Sequence, residues 1–208
     1  MQKSLRHRVH NQIFKIKYDM KQIFFIIGML FSQILISQDQ MYDVCPLKVG
    51  AEIPNINLTD DNNKQISLTN LTADKPSVFI FYRGAWCGYC TKHLAELNDI
   101  KEDVEQLGYQ MLGITIDQAE KLAESTKRSE SEIQVYSDSK LEATKAFGLD
   151  WKVDDELFNK YKNKYQLDLE EWSGEDHHSL TVPAIFVIKD NIITFPVSYT
   201  HLPSPRDS

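Results

Sequence analysis

The sequence predicts an α/β fold: a central mixed β-sheet flanked by helices. Three observations carry this reading. Apolar runs of strand length stand at Val78–Phe81, Met111–Ile116 and Ala184–Ile188. Between the first two, Thr91–Leu107 places Leu94, Leu97, Ile100, Val104 and Leu107 three and four apart, the spacing of one helix face. A strand–helix–strand order within one sheet requires a parallel, right-handed crossover. The 208 residues suit one domain, and a hydrophobic fraction of 42% is enough for a core.

The N-terminal region reads as a leader. Lys21 is followed by an apolar run, Ile23–Ile36, interrupted by Gly28, Ser32 and Gln33, and closed by Ser37-Gln38. The run is shorter than the roughly 20 apolar residues of a membrane span and fits the core of a signal peptide. Residues 1–40 are therefore assigned as an N-terminal extension and signal peptide, with Met20 a candidate start. The expected location is exported, periplasmic or extracytoplasmic, with membrane contact only through an uncleaved leader. The net charge is −7, made of +4 in residues 1–40 and −11 in the remainder. An acidic body argues against nucleic acid and anionic membrane surfaces as partners.

The domain is expected over residues 46–195. Ile56–Leu58 and Ile66–Leu68 alternate apolar and polar around Thr59–Asn63 and predict a hairpin. Strands are expected near 77–82, 110–116, 184–189 and 192–195, all in one sheet. A polar helix is expected over 118–127 and a short strand over 133–136. Ser137-Asp138 is expected to cap a helix running to Phe147 before Gly148. Residues 150–180, charged and aromatic, read as an insertion with a helix near 155–165. Asp190-Asn191 is the turn into the last strand. Residues 196–208, with three prolines and no periodicity, read as a non-native tail.

The chemistry concentrates in Tyr82-Arg83-Gly84-Ala85-Trp86-Cys87-Gly88-Tyr89-Cys90. The cysteines fall where a strand hands over to a helix N-terminus, where free N–H groups and the helix dipole favour a thiolate. Two intervening residues let the sulfurs meet across one turn, an arrangement suited to cycling between dithiol and disulfide. A lone Cys-x-x-Cys also serves as half of a zinc site, and a copper- or zinc-binding module using the pair and a histidine is the rival class. No second such pair exists. His177 and His178 are adjacent and so point apart on most backbones. Cys45 is either a resolving thiol or an unpaired residue near the leader; nothing local would lower its pKa, which favours the second. Trp86 is expected to cover the site as an apolar lid. Arg83 either holds a carboxylate or raises thiolate character.

With Ser173-Gly174-Glu175-Asp176-His177-His178 and Val182-Pro183-Ala184 downstream, residues 46–195 resemble the peroxiredoxin-like members of the alkyl hydroperoxide reductase/thiol-specific antioxidant (AhpC/TSA) family, within the thioredoxin fold. The resemblance implies a thiol oxidoreductase with Cys87 and Cys90 as catalytic residues. It implies a thiol reductant system as partner, a peroxide or protein disulfide as substrate, and no organic cofactor. Trp86, Arg83, Val182 and Pro183 would position substrate, with a cis peptide before Pro183. The thioredoxin-like alignment makes Cys87 the attacking thiolate and Cys90 the resolving thiol. The peroxiredoxin alignment puts the peroxidatic role on Cys90, with Cys87 in place of a Thr or Ser and Arg83 in place of a Pro. An extracytoplasmic disulfide reductase without peroxidase activity is the alternative enzyme.

Overall fold

The computed structural model describes residues 44–198. The extension and leader (1–40) and most of the tail lie outside the described residues. The strands are β1 (Asn57–Thr59), β2 (Gln65–Ser67), β3 (Ser77–Tyr82), β4 (Gln110–Thr115), β5 (Gln134–Ser137), β6 (Asp150–Lys152), β7 (Ser179–Thr181), β8 (Ala184–Lys189) and β9 (Ile192–Ser198). The α-helices are α1 (Leu68–Leu71), α2 (Gly88–Asn98), α3 (Lys101–Gln106), α4 (Leu122–Ser129), α5 (Glu142–Ala146), α6 (Asp155–Lys164) and α7 (Leu169–Ser173).

One mixed sheet runs in the order β2-β1-β5-β4-β3-β8-β9. β3 pairs in parallel with β4, and β4 with β5, as a crossover requires; β8 lies antiparallel to β3, and β9 to β8. The four expected strands thus share one sheet. The period of two along β3 sends Phe79 and Phe81 to one face and Ile80 and Tyr82 to the other. On the first face Phe147 is fully buried, its ring 4.9 Å from Phe81 and 5.0 Å from Phe186. On the second, Ile80, Met111 and Val135 receive Leu94 of α2, Leu122 of α4 and both residues of the cysteine pair.

The single helix expected over 91–107 is broken. α2 ends at Asn98, and Ile100 N–H bonds to Leu97 O, a tighter turn than the α-helix makes. The cause is long-range: Asn98 Oδ1 accepts from Glu132 N–H and from the Ser131 hydroxyl. The bend turns Ile100 and Leu107 out to solvent, while Leu94, Leu97 and Val104 stay on the core. The helix expected from Ser137 starts at Glu142. Asp138 still caps it, its carboxylate accepting from the N–H groups of Ala143 and Thr144, but Leu141, at φ 61°, intervenes. Ala119–Lys121 form a 3-10 turn ahead of α4.

The 150–180 insertion has its own order. β6 and β7 form a two-stranded antiparallel sheet, and α6 and α7 pack with them around Leu141, Tyr161, Leu169 and Leu180. α6 matches the expected helix closely. The Val182–Pro183 peptide is trans, not cis. Val182 N–H donates to Leu149 O, continuing the β6–β7 ladder, so its amide is already paired within the chain. The domain also runs past its expected end at 195: Pro196, Val197 and Ser198 pair with Phe186, Ile185 and Ala184. β9 is an edge strand, where a proline's missing N–H costs no ladder bond.

Candidate active site

β3 and β4 end side by side, Tyr82 opposite Thr115, and the loop leaving β3 carries Arg83–Cys87 into α2. Cys87 is the N-cap of α2. Cys87 and Cys90 form a disulfide with Cα atoms 5.2 Å apart, and Cys90 N–H points at Cys87 Sγ at 3.4 Å. That amide, in the first helical turn, also donates to Cys87 O at 2.9 Å, so its bond is shared. It would stabilise charge on Cys87 Sγ once the disulfide opens. The two cysteines are buried to nearly the same extent, 9% exposed for Cys87 and 7% for Cys90. The exposed neighbours are Gly88 and Tyr89.

The substrate-positioning candidates surround this loop in different ways. Trp86 is half-buried against the insertion, its ring edge-on to Tyr161 at 6.1 Å between centroids. The Arg83 guanidinium lies over the Trp151 ring, 5.5 Å from its centroid, a cation–π contact. β8 opens at Ala184 opposite Phe81, so Val182 and Pro183 stand at the same end of the sheet as the cysteine loop. Val182 is buried and Pro183 partly so.

Sequence reasoning missed Asp117. It follows β4, is fully buried, and accepts the Ala85 N–H on Oδ2 at 2.7 Å. Its other oxygen, Oδ1, is buried without a partner, as is the Trp86 indole Nε1. Burial pushes its carboxyl up to about 7, against the lowering effects of the Ala85 amide and the Thr115 hydroxyl. Beside it the Tyr82 phenol shares a 2.5 Å hydrogen bond with Ser125, and burial holds that phenol far above its ordinary value. Gly84 makes this packing possible. Its φ is +152°, and a Cβ there would lie 2.5 Å from Asp117 Oδ1 and collide with the Trp86 indole. The available signal was an acid placed directly after an apolar strand at the carboxyl end of a parallel sheet.

The remaining candidates do not join the site. His177 Nε2 faces Ser139 O at 3.0 Å, its Nδ1 accepts the Ser179 N–H, and burial lowers its pKa. His178 Nε2 meets Glu170 Oε1 at 2.7 Å, with its ring stacked on Phe158 at 3.8 Å. Among the described residues no three His, Cys, Asp or Glu side chains are grouped to hold a metal ion. Cys45 is a free, exposed cysteine.

Comparison with known proteins agrees with this geometry. The family model described as "AhpC/TSA family" matches residues 49–195. Peroxiredoxin Bcp of Escherichia coli strain K12 is 29% identical over 104 residues, covering 50% of this chain and 66% of that protein. The thiol-disulfide oxidoreductase ResA of Bacillus cereus is 28% identical over 74 residues, covering 36% of this chain and 42% of that protein. The chain thus spans just under two thirds of the Bcp relative and less than half of ResA. In fold, the crystal structure of peroxidoxin BcpB from Mycobacterium tuberculosis superposes with a TM-score of 0.58 at 19% identity, over 73% of this chain and 86% of that one. A thioredoxin-fold domain with a cysteine pair capping its first long helix, matched by the family model over most of the chain, belongs to the AhpC/TSA family.

Proposed function

We propose that the chain is a thiol-dependent oxidoreductase that reduces a peroxide or a disulfide through a Cys87–Cys90 dithiol/disulfide cycle. The observation that carries this is the disulfide at the N-cap of α2, with the Cys90 amide, shared with Cys87 O, also within reach of Cys87 Sγ. In the reduced protein Cys87 is the thiolate and attacks. On a disulfide RSSR it forms a Cys87–SR bond and expels RS⁻; Cys90, deprotonated, then attacks Cys87 Sγ and expels the second RS⁻. On a peroxide ROOH it takes the distal oxygen as Cys87–SOH, with ROH leaving after protonation; the Cys90 thiol then condenses to the disulfide and releases water. An external dithiol returns two electrons and is itself oxidised. Val182, Pro183, Trp86 and Arg83 form the rim on which substrate would rest.

A disulfide reductase without peroxidase activity is the second reading. It is favoured by Cys87 standing where peroxiredoxins carry a peroxide-holding hydroxyl. Peroxide consumption and reduction of a protein disulfide, both driven by a dithiol donor, separate the two. We expect turnover in at least one assay, lost when both cysteines are replaced; turnover in neither refutes the proposal.

The apolar run 23–36 supports export of the domain, where an extracytoplasmic thiol system would supply electrons. N-terminal sequencing of the protein recovered outside the cytoplasm is expected to begin between Ser37 and Val44. Recovery of the domain from the cytoplasmic fraction alone would contradict export.

A further inference from the structure

The Val182–Pro183 segment ahead of β8 offers a substrate no free N–H. Pro183 has none, and the Val182 N–H is donated to Leu149 O at 2.9 Å. Behind them β8 is closed on both sides, Ala184 pairing with Phe81 of β3 and with Ser198 of β9. An extended peptide finds no strand edge to join there, so recognition beside the cysteine loop falls to side chains. Arg83 is the cation of that loop. It directly precedes the turn in which Gly84 O accepts the Cys87 N–H at 3.1 Å. One Cα–Cα step of about 3.8 Å and a turn spanning under about 7 Å keep the Arg83 and Cys87 Cα atoms within about 11 Å. The guanidinium covers the Trp151 ring, and a stacked guanidinium keeps its N–H groups at the edge, in the fork that fits a carboxylate. Among the described residues Arg83 enters no ion pair, and its Nε is buried with no partner. The acid nearest Trp151 in sequence, Asp150, does not serve: the period of two sends it to the other face of β6, where its Oδ1 is itself buried without a partner. A half-buried cation without an anion and a buried donor without an acceptor both carry a cost, which an incoming carboxylate removes.

We propose that Arg83 is a specificity-determining residue that pairs with a carboxylate on a small substrate, so that the Cys87–Cys90 couple acts on small carboxylate-bearing disulfides in preference to neutral ones. The inference rests on the dithiol/disulfide cycle above and names its substrate class. Arg83 itself forms and breaks no covalent bond. With dithiodipropionate as the small disulfide, the Cys87 thiolate bonds one of its sulfurs, and one mercaptopropionate leaves as a thiolate. Cys90 then gives up its proton and attacks Cys87 Sγ; the second mercaptopropionate leaves and takes that proton. Two electrons have passed from the cysteine pair to the substrate. The chain is acidic overall and repels a dianion, so a preference for one has to come from a local cation.

The test is the second-order rate at which reduced protein, freed of reductant, is oxidised by dithiodipropionate and by its neutral diamide. Each rate is divided by that of mercaptoethanol with the same disulfide, which removes the intrinsic reactivity of the probe. Wild type should favour the dianion by about tenfold or more, the worth of a charge-assisted hydrogen bond. Arg83→Gln should lose that preference. Arg83→Lys, which keeps the charge and loses the forked donors, should fall between them. No preference in wild type, or a preference that Arg83→Gln keeps, overturns the role of Arg83 and leaves the cycle standing. Oxidation by hydrogen peroxide but by neither disulfide does the same. A reduced protein oxidised by none of the three overturns the cycle and this inference together.

Discussion

Replacing Cys87 with serine is expected to lower turnover by about three orders of magnitude or more, because it removes the nucleophile that opens the cycle. Serine at the helix N-cap can still accept the Cys90 N–H, so the fold should persist. Cys90→Ser is expected to fail differently. It leaves the first attack intact and removes resolution, so a single substrate equivalent reacts and the cycle stops. The contrast comes from position. Cys87 caps α2 with an amide aimed at its sulfur, whereas Cys90 lies within the first turn, packed among Ile80, Leu94 and Met111. Rapid-mixing kinetics over one turnover separate the two: a burst of one product equivalent with Cys90→Ser and none with Cys87→Ser.

Phe147→Ala is expected to be the costliest core substitution on the other face of the sheet, at about 3–5 kcal/mol. The ring has no exposed surface and stands among Phe79, Phe81 and Phe186, with centroids at 6.3, 4.9 and 5.0 Å. Truncation loses the transfer energy of the ring and leaves a cavity that three rigid aromatic neighbours on two strands fill poorly. Denaturant unfolding should show a lower midpoint with an unchanged slope. The cysteine pair packs on the opposite face, so residual folded protein should retain its dithiol chemistry. A loss under 1 kcal/mol would mean that the aromatic cluster repacks.

Much of this arrangement was legible because it is local. The run Val78–Phe81 followed by Cys-x-x-Cys and a helix face specifies a strand, a turn and a helix start within about twenty residues, and the sheet followed from repetition of that pattern. What stayed hidden depends on residues far apart in sequence. Asp117 reaches the cysteine loop across 32 positions, and an acid after a strand does not announce which amide it will accept. Asn98 ends α2 by capturing Glu132, 34 positions away, which no helical periodicity can register. The pairing of the Val182 N–H with Leu149 O, which occupies the amide expected to meet substrate, forms only once the insertion folds as a two-stranded sheet. Pro196 falls in the stretch read as a tail, but the edge position of β9, a property of the assembled sheet, lets the strand run through it to Ser198.

The account turns on Cys87 as the attacking sulfur, and intact-mass mapping of trapped adducts tests that most directly. Reduced Cys90→Ser and Cys87→Ser would each be treated with one equivalent of peroxide, and separately of a mixed-disulfide probe, then digested and mapped. The account predicts an adduct on Cys87 in Cys90→Ser and no rapid adduct on Cys90 in Cys87→Ser. Sulfenic acid forming promptly on Cys90 in Cys87→Ser, with Cys90→Ser unmodified, would contradict it and assign the attack to Cys90.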